Sequence, residues 1–254
     1  MKFVIAGSPR TGSTYLQTTL NSHSDILCAH EVFGTSENRA HFRLENGTVV
    51  AAAEHARSYL ESCIWSPSYS RKRGRGFKIF YYHGREVDTR ETVWDCLRQD
   101  RDIHVIHLVR RNLLARYASQ KMAAETGIWN RKRMLACRRR KEFSIAVRSR
   151  AKEYRPVELG YEELLENFRY QQQIRRQFKA DFSEHRLLEL YYEDLMAEPS
   201  RYLQQVLAFL GFSFEPLKAD NCKLAKGPLS ETIVNYRELK ERFNDTPWCS
   251  FFEE

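Results

Sequence analysis

The sequence predicts an α/β fold, a single domain in which a central parallel sheet carries helices on both faces. Short apolar runs alternate along the chain with longer segments whose apolar residues recur at helical spacing. The length of 254 residues is enough for one large domain with a substantial core. A phosphate-loop pattern follows the first apolar run directly, which is the order of a strand, a loop and a helix.

The elements follow from these patterns in chain order. Strands are predicted at 3–6, 26–29, 76–82, 103–109 and 187–192. Helices are predicted at 12–21, 49–65, 91–97, 112–125, 158–178, 201–210 and 231–243. Residues 34–47 are polar and rich in turn formers. Gly211 ends the helix predicted at 201–210. No repeat or linker divides the chain, so we expect one domain over residues 1–254.

The net charge of +8 is concentrated in three basic runs, at 71–75, 131–133 and 138–141. Such runs are either solvated surface or a positive field that attracts an anionic cofactor or acceptor. No nucleic-acid motif accompanies them, so we expect no nucleic-acid partner. The least regular segment, residues 127–156, is predicted to lie near the acceptor site.

Targeting signals and metal motifs are not evident in the sequence. No apolar stretch approaches the roughly 20 residues that span a bilayer, and the run at residues 3–6 is too short for a signal peptide. We therefore expect a cytoplasmic protein without a transmembrane segment. The six cysteines are scattered, with no C-x-x-C pair, so we expect no metal site.

The first chemical motif is Gly-Ser-Pro-Arg-Thr-Gly-Ser-Thr at residues 7–14. It has the form G-x-x-x-x-G-x-[ST], but Ser13 stands where a nucleotide triphosphatase has a lysine for the β- and γ-phosphates. Backbone N–H groups and a helix N-terminus can still hold an anion there, and Arg10 supplies positive charge. The hydroxyls of Thr11, Ser13 and Thr14 add donors beside Gly12. The alternative is a glycine turn with a capped helix.

The second motif begins where the strand at 103–109 ends. In open α/β sheets, ligands bind beyond the carboxyl ends of the strands. Arg111 lies at that end and Ser119 lies two turns into the next helix, so the two could hold a second phosphate. The alternative is that Arg110, Arg111 and Arg116 are cations on a helix surface and that Ser119 has no ligand.

Together the two motifs resemble the superfamily of sulfotransferases that use 3′-phosphoadenosine 5′-phosphosulfate (PAPS). The resemblance is to the bacterial branch with nodulation-factor and trehalose sulfotransferases, and further similarity lies at 29–33, 76–81 and 228–239. It implies the phosphate-loop (P-loop-like) sulfotransferase fold, PAPS as donor, adenosine 3′,5′-bisphosphate as product and no metal. The residues that it implies for cofactor binding are Arg10, Thr11, Gly12, Ser13 and Thr14 for the 5′-phosphosulfate, Arg111 and Ser119 for the 3′-phosphate, and Lys226, Asn235 and Tyr236 near the nucleotide.

The resemblance also implies the catalytic groups. Glu31 matches the position of a catalytic glutamate in that branch, and we rank it first as the general base. His83 is ranked second: the animal cytosolic sulfotransferases carry a basic histidine near a comparable strand end, but the spacing from Lys78 to His83 differs from theirs. In favour of His83, imidazole has the better intrinsic pKa for proton transfer near neutral pH. Arg10 is expected to stabilise the leaving phosphate. Lys78 either contacts the transferring group or extends from the strand end into solvent.

The acceptor is the least determined part of the prediction. The bacterial relatives suggest a small-molecule, carbohydrate or glycolipid hydroxyl, and an amine is equally compatible. A phosphate-loop kinase or nucleotide hydrolase is the first alternative, disfavoured by Ser13 and by arginines where a magnesium-binding Asp would follow the strand at 103–109. A non-catalytic nucleotide- or polyanion-binding protein is the second. His107, within an apolar strand, is expected to be a hydrogen-bonded core residue.

Overall fold

Five parallel strands form the central sheet of the computed structural model, which describes residues 1–34, 40–44, 47–68, 70–127, 129, 155–218 and 227–253. The strands of the described chain are β1 (Lys2–Gly7), β2 (Ile26–Ala29), β3 (His41–Arg43), β4 (Val49–Ala51), β5 (Gly74–Phe80), β6 (His104–Val109) and β7 (Leu187–Tyr191). The sheet has the order β2-β5-β1-β6-β7, and β3 and β4 form a separate antiparallel hairpin. The chain therefore moves to one side of β1 first and to the other side later, which creates a crevice at the carboxyl ends of the central strands.

Helices connect the strands. They are α1 (Ser13–Leu20), α2 (Ala56–Tyr59), α3 (Val93–Gln99), α4 (Leu113–Thr126), α5 (Tyr161–Asp181), α6 (Tyr192–Ala197), α7 (Pro199–Phe209), α8 (Leu229–Thr232) and α9 (Tyr236–Arg242). A π-helical turn at Leu60–Ile64 continues α2, and a 3₁₀ turn lies at Cys249–Phe252. Among the described residues, no helix combines the length and the apolar character that crossing a bilayer requires.

The chain divides into two compact units. The first, called the sheet unit, comprises residues 1–111 and 172–219. The second, called the helical unit, comprises residues 112–171 and 220–254. The predicted parallel α/β sheet is confirmed in the sheet unit, whereas one domain over residues 1–254 stays a prediction.

Both faces of the sheet are buried, which explains why its strands are apolar runs rather than alternating patterns. On one face, Val4 of β1 and Phe77 of β5 pack with α2, α3 and Phe178 near the end of α5. On the other face, Ile5 packs with α1 and with Leu203 of α7. This confirms the prediction that helices cover the sheet on both sides.

The helical unit has its own core, in which aromatic residues of α5 and α9 pack with the last turn of the chain. Asn235 joins two segments of this unit. Its Nδ2 donates to the carbonyl oxygen of Leu159 at 2.9 Å, and its Oδ1 accepts from the Leu159 N–H at 3.1 Å. Next to it, Ile233 forms a parallel bridge with Val157.

Two predicted helices are wrong in part. The segment 49–65 begins as strand β4, because Val49–Ala51 pairs with His41–Arg43, and helix starts only after His55. The segment 231–243 is broken between α8 and α9, because the bridge of Ile233 holds the backbone extended there. The other boundaries lie within a few residues of the predicted ones. The basic runs at 131–133 and 138–141, and most of the segment 127–156, lie outside the described residues.

Replacing Asn235 with Ala should lower the free energy of unfolding by about 1–3 kcal/mol, because it leaves the two backbone groups of Leu159 without partners. Urea unfolding followed by circular dichroism measures the change. The matched control is Asn244→Ala, since the Asn244 side chain is exposed and its amide donates to the neighbouring Asp245. Equal stability of the two variants would show that the two hydrogen bonds between Asn235 and Leu159 do not stabilise the fold.

Candidate active site

The predicted catalytic residues of the sheet unit meet at the carboxyl ends of neighbouring strands. The loop that contains Arg10 follows β1, Glu31 follows β2, and His83 follows β5. Lys78 lies within β5, on the face opposite Phe77 and Ile79, because side chains alternate along a strand. The sheet therefore brings together residues that are up to 73 positions apart (83 − 10) in the sequence.

The phosphate loop has a backbone suited to anion binding. Arg10 has φ 69° and Gly12 has φ 83°, both in the left-handed region, and α1 begins at Ser13. Thr11 lies buried and its hydroxyl donates to the carbonyl oxygen of Ser8 at 2.8 Å, which closes the turn. N–H groups at the start of α1 and the helix dipole favour negative charge there.

A buried ion pair connects this loop to β2. The Lys78 ammonium lies 2.8 Å from Oε1 of Glu31 and donates to Oγ1 of Thr14 at 2.7 Å. The Lys78 side chain is only 1% exposed, and burial lowers its pKa while the Glu31 carboxylate opposes that shift. This contradicts the alternative in which Lys78 extends into solvent.

His83 is buried behind Glu31. Its Nδ1 accepts a hydrogen bond from the Phe80 N–H at 3.2 Å, so in the neutral ring the proton is on Nε2, which lies 3.7 Å from Oε2 of Glu31. The carbonyl oxygen of His83 accepts from the Trp94 indole at 2.8 Å. Burial lowers the pKa of His83 to about 4, and the nearby carboxylate only partly offsets it. The ring is therefore neutral at physiological pH.

Two exposed side chains flank the carboxylate. His30 Nδ1 lies 3.8 Å from Oε1 of Glu31. Tyr82 is 43% exposed, and its ring packs edge-on against His83 with the centroids 4.7 Å apart. Burial and the Glu31 charge raise the pKa of Tyr82 to about 12, so its hydroxyl stays protonated.

Arg111 lies at the end of β6, as predicted, and it is held by acidic residues of α6. Its guanidinium binds both carboxylate oxygens of Asp194, at 2.5 and 2.7 Å, and lies 3.8 Å from the ring centroid of Tyr191. Its backbone N–H donates to the carboxylate of Glu193. Ser119 belongs to α4 of the helical unit, so the pairing of Arg111 with Ser119 stays a prediction.

The three further nucleotide-binding candidates come from the C-terminal part. Asn235 already uses both ends of its amide on Leu159, and the Tyr236 hydroxyl donates to the carbonyl oxygen of Phe252 at 2.6 Å. These contacts give both residues a structural role within the helical unit, and their contact with a nucleotide stays a prediction. Lys226 lies outside the described residues.

His107 confirms its predicted role in the core. It is fully buried in β6, with Nε2 2.5 Å from the Tyr81 hydroxyl and Nδ1 3.2 Å from Glu189. The hydrogen bond from His107 holds the pKa of Glu189 far below its usual range. Among the described residues, no group of three His, Cys, Asp or Glu side chains is arranged to hold a metal ion.

The sequence analysis missed Arg110 and Tyr192, which contact the phosphate loop. Nη1 of Arg110 donates to the carbonyl oxygen of Arg10 at 3.3 Å, and its guanidinium lies over the Tyr192 ring. A signal was present, because Tyr192 directly follows β7 and the carboxyl ends of parallel strands share one edge of the sheet. The acidic pair Glu193 and Asp194 could have been found in the same way.

Comparisons with known proteins agree with the resemblance to sulfotransferases. A family model described as "Sulfotransferase family" matches residues 101–216. "Nodulation protein H" of Rhizobium tropici is 27% identical over 99% of this chain and 92% of that protein, and its counterpart in Rhizobium meliloti is 26% identical over 99% and 94%. The crystal structure of a sulfotransferase from Alicyclobacillus acidocaldarius shares the fold, with a TM-score of 0.52 and 16% identity over 99% of this chain and 93% of that one.

The free energy of unfolding should fall as the pH drops from about 7 towards 4. His83 has its pKa lowered from 6.5 to about 4 by folding, so below pH 6.5 the unfolded chain binds a proton that the folded chain does not. His83 alone should lower the free energy of unfolding by at most about 3 kcal/mol at pH 4. Burial also lowers the pKa of His107, so His107 should lower the free energy of unfolding in the same pH range. Urea unfolding at several pH values measures it.

The variant His83→Asn should flatten this pH dependence, because it removes the titrating ring. The matched control is His41→Asn in the exposed strand β3, which should leave the slope unchanged. An unaltered slope in the His83 variant would show that the ring does not resist protonation in the folded protein.

Proposed function

We propose that the chain, which is similar to sulfotransferases, transfers a sulfuryl group from PAPS to a hydroxyl or amine of a small-molecule or carbohydrate acceptor. The observation that carries this proposal is the direct chain of contacts from the phosphate loop to a carboxylate, through Thr14, Lys78 and Glu31. An anion-binding loop and a base joined by one buried cation are what such a transfer requires.

The residues of the phosphate loop fit the 5′-phosphosulfate of the donor. Gly12 has no Cβ, and Arg10 supplies positive charge. The hydroxyls of the loop lie around the start of α1, on Thr11, Ser13 and Thr14. PAPS has no γ-phosphate, so the lysine that Ser13 replaces is not needed. PAPS supplies a sulfuryl group that is activated by its bond to a phosphate oxygen. In this proposal Arg10 and the loop N–H groups stabilise the negative charge on that oxygen as the bond breaks.

Glu31 is the proposed general base. Of the three groups in the cluster, Lys78 is 1% exposed, His83 is 2% exposed and Glu31 is 19% exposed. Only the carboxylate therefore reaches a surface where an acceptor can bind. As the acceptor oxygen or nitrogen forms its bond to sulfur, its proton passes to the Glu31 carboxylate, and the phosphate oxygen leaves with the electron pair of the broken bond.

His83 is poorly suited to that role. The lone pair of its Nδ1 already accepts the Phe80 N–H, and its Nε2 carries the proton of the neutral ring. Its lowered pKa, about 4, also makes it a weak base. We propose that His83 instead orients Glu31 from behind, at 3.7 Å.

Lys78 has two proposed tasks. Its ammonium holds the Glu31 carboxylate in place through an ion pair of 2.8 Å. It also bonds to Thr14 of the loop, so its charge lies between the proposed donor site and the proposed base. A cation fixed there by the fold stabilises negative charge on a transferring sulfuryl group without having to reorganise.

The proposed acceptor is a small-molecule, carbohydrate or glycolipid hydroxyl. The exposed groups beside Glu31 suit such a ligand, because the Tyr82 ring offers an apolar face and His30 a hydrogen-bonding tip. The similarity to proteins named nodulation protein H also supports this acceptor class, because the resemblance of the motifs is to the nodulation-factor branch.

The protein should bind adenosine 3′,5′-bisphosphate tightly without magnesium and bind ATP much more weakly. The reason is that the proposed donor site contacts two separate phosphates and has no lysine for a γ-phosphate. Isothermal titration calorimetry in the presence of EDTA measures both affinities. Preference for magnesium–ATP would favour a phosphate-loop kinase, and equal binding of all polyanions would favour a non-catalytic binding protein.

Replacing Glu31 with Gln should lower kcat by about 10²–10⁴-fold, the usual contribution of a general base. Replacing His83 with Asn should lower it by less than about tenfold, because the ring only orients the carboxylate. Radiolabelled sulfate transfer from PAPS, with an acceptor found by mass-spectrometric screening, measures both rates.

The control for this comparison is Glu91→Gln, which breaks the exposed ion pair with Arg57 and should leave kcat unchanged. Affinity for adenosine 3′,5′-bisphosphate, measured for every variant, identifies any that has lost the donor site. If the His83 variant loses as much activity as the Glu31 variant while both bind the nucleotide, Glu31 is not the base.

A further inference from the structure

We propose that Arg110 is a positioning residue that holds the phosphate loop in its anion-binding conformation. The inference rests on the proposed function, since it assigns Arg110 to the donor site of that reaction. Arg110 directly precedes Arg111, and the motif formed by Arg111 and Ser119 does not include it. Three features of the sheet unit support it: the backbone of Arg10, the contacts of Arg110 and the burial of the Arg110 charge.

The backbone of Arg10 adopts a conformation that its side chain disfavours. Among the described residues, Arg10 is the one non-glycine residue with a positive φ, at 69°. For such a residue the left-handed conformation is disfavoured by about tenfold or more. It persists only where the surrounding structure holds it, and it is often found at functional sites. Some contact must therefore fix the Arg10 peptide.

Arg110 supplies such a contact. It is the first residue after β6, and its Nη1 donates to the carbonyl oxygen of Arg10 at 3.3 Å. Its guanidinium also lies over the Tyr192 ring, 4.6 Å from the centroid. A Cβ at Gly12 would lie 2.8 Å from Cδ2 of that ring. Arg110 and Tyr192 thus contact the two residues of the loop that have left-handed backbones.

The charge of Arg110 is largely buried, and the nearby Glu193 and Tyr192 offset only part of the effect of burial, which lowers the pKa of the guanidinium. Among the described residues, no acidic group lies within ion-pairing distance of its guanidinium, and its buried Nε has no hydrogen-bond partner. Its neighbour Arg111 differs, since it is exposed and paired with Asp194. A buried cation whose nearest carboxylate lies beyond ion-pairing distance is costly unless a ligand brings a closer counterion. Its position at the phosphate loop therefore also favours an anionic ligand.

Affinity for adenosine 3′,5′-bisphosphate tests this role. Arg110→Met should weaken binding by about 10- to 100-fold and raise KM for PAPS similarly, with kcat changed by less than about threefold. Arg110→Lys, which keeps the charge and a donor, should recover part of the loss. Calorimetry at fixed salt measures binding, and thermal unfolding shows whether each variant is folded.

The matched control is Arg85→Met. Arg85 makes the same kinds of contact, because its Nε donates to the carbonyl oxygen of Tyr81 at 2.5 Å and its guanidinium lies over the Trp94 ring. It does not contact the phosphate loop, so its loss should change nucleotide affinity by less than about twofold. An equal loss in both variants would reflect general destabilisation and overturn the proposal, as would unchanged affinity in a folded Arg110→Met protein.

A double-mutant cycle separates positioning from simple charge attraction. Glycine adopts the left-handed conformation without penalty, so in the Arg10→Gly background the loop no longer needs to be held. Arg110→Met should then cost at least threefold less affinity than it does beside Arg10. If Arg110→Met costs the same affinity with Arg10 as with Arg10→Gly, Arg110 does not act by holding the Arg10 backbone. Failure of the unmodified protein to bind the nucleotide would refute the proposed function itself, a distinct result.

Discussion

The buried ion pair between Lys78 and Glu31 is the interaction on which the candidate site depends. It places a charged ammonium inside the sheet unit, where its contacts to Glu31 and to Thr14 offset the cost of leaving water. Glu31 follows β2, and Thr14 lies at the start of α1. The Lys78 side chain of β5 therefore fixes the positions of these two segments relative to each other. Glu31, the proposed base, and the phosphate loop are thereby held at a set separation.

The order of the strands makes this convergence possible. β5 lies between β2 and β1, so a side chain of β5 can reach both the segment after β2 and the loop after β1. On the other side of β1, β6 places Arg110 against the same loop. The loop is thus supported from both neighbouring strands, and helices on both faces keep those strands out of water.

Local patterns were sufficient to predict most of the fold and part of the site. The apolar runs predicted every strand of the main sheet, and the spacing of glycines and hydroxyls predicted the phosphate loop, because these features depend on residues close in sequence. The helix predicted at 49–65 failed at its start, where Val49–Ala51 pairs with β3. That pairing is a tertiary contact that no local pattern expresses.

The sequence alone indicated the class of chemistry, since its phosphate loop without the lysine and its second arginine motif resemble those of sulfotransferases. The tertiary structure decided the roles of individual side chains. Lys78 is buried rather than exposed, and the His83 ring is directed by a backbone N–H so that Glu31 alone of this cluster reaches the surface. Burial and hydrogen-bond direction set these roles, and both arise only when distant strands pack together.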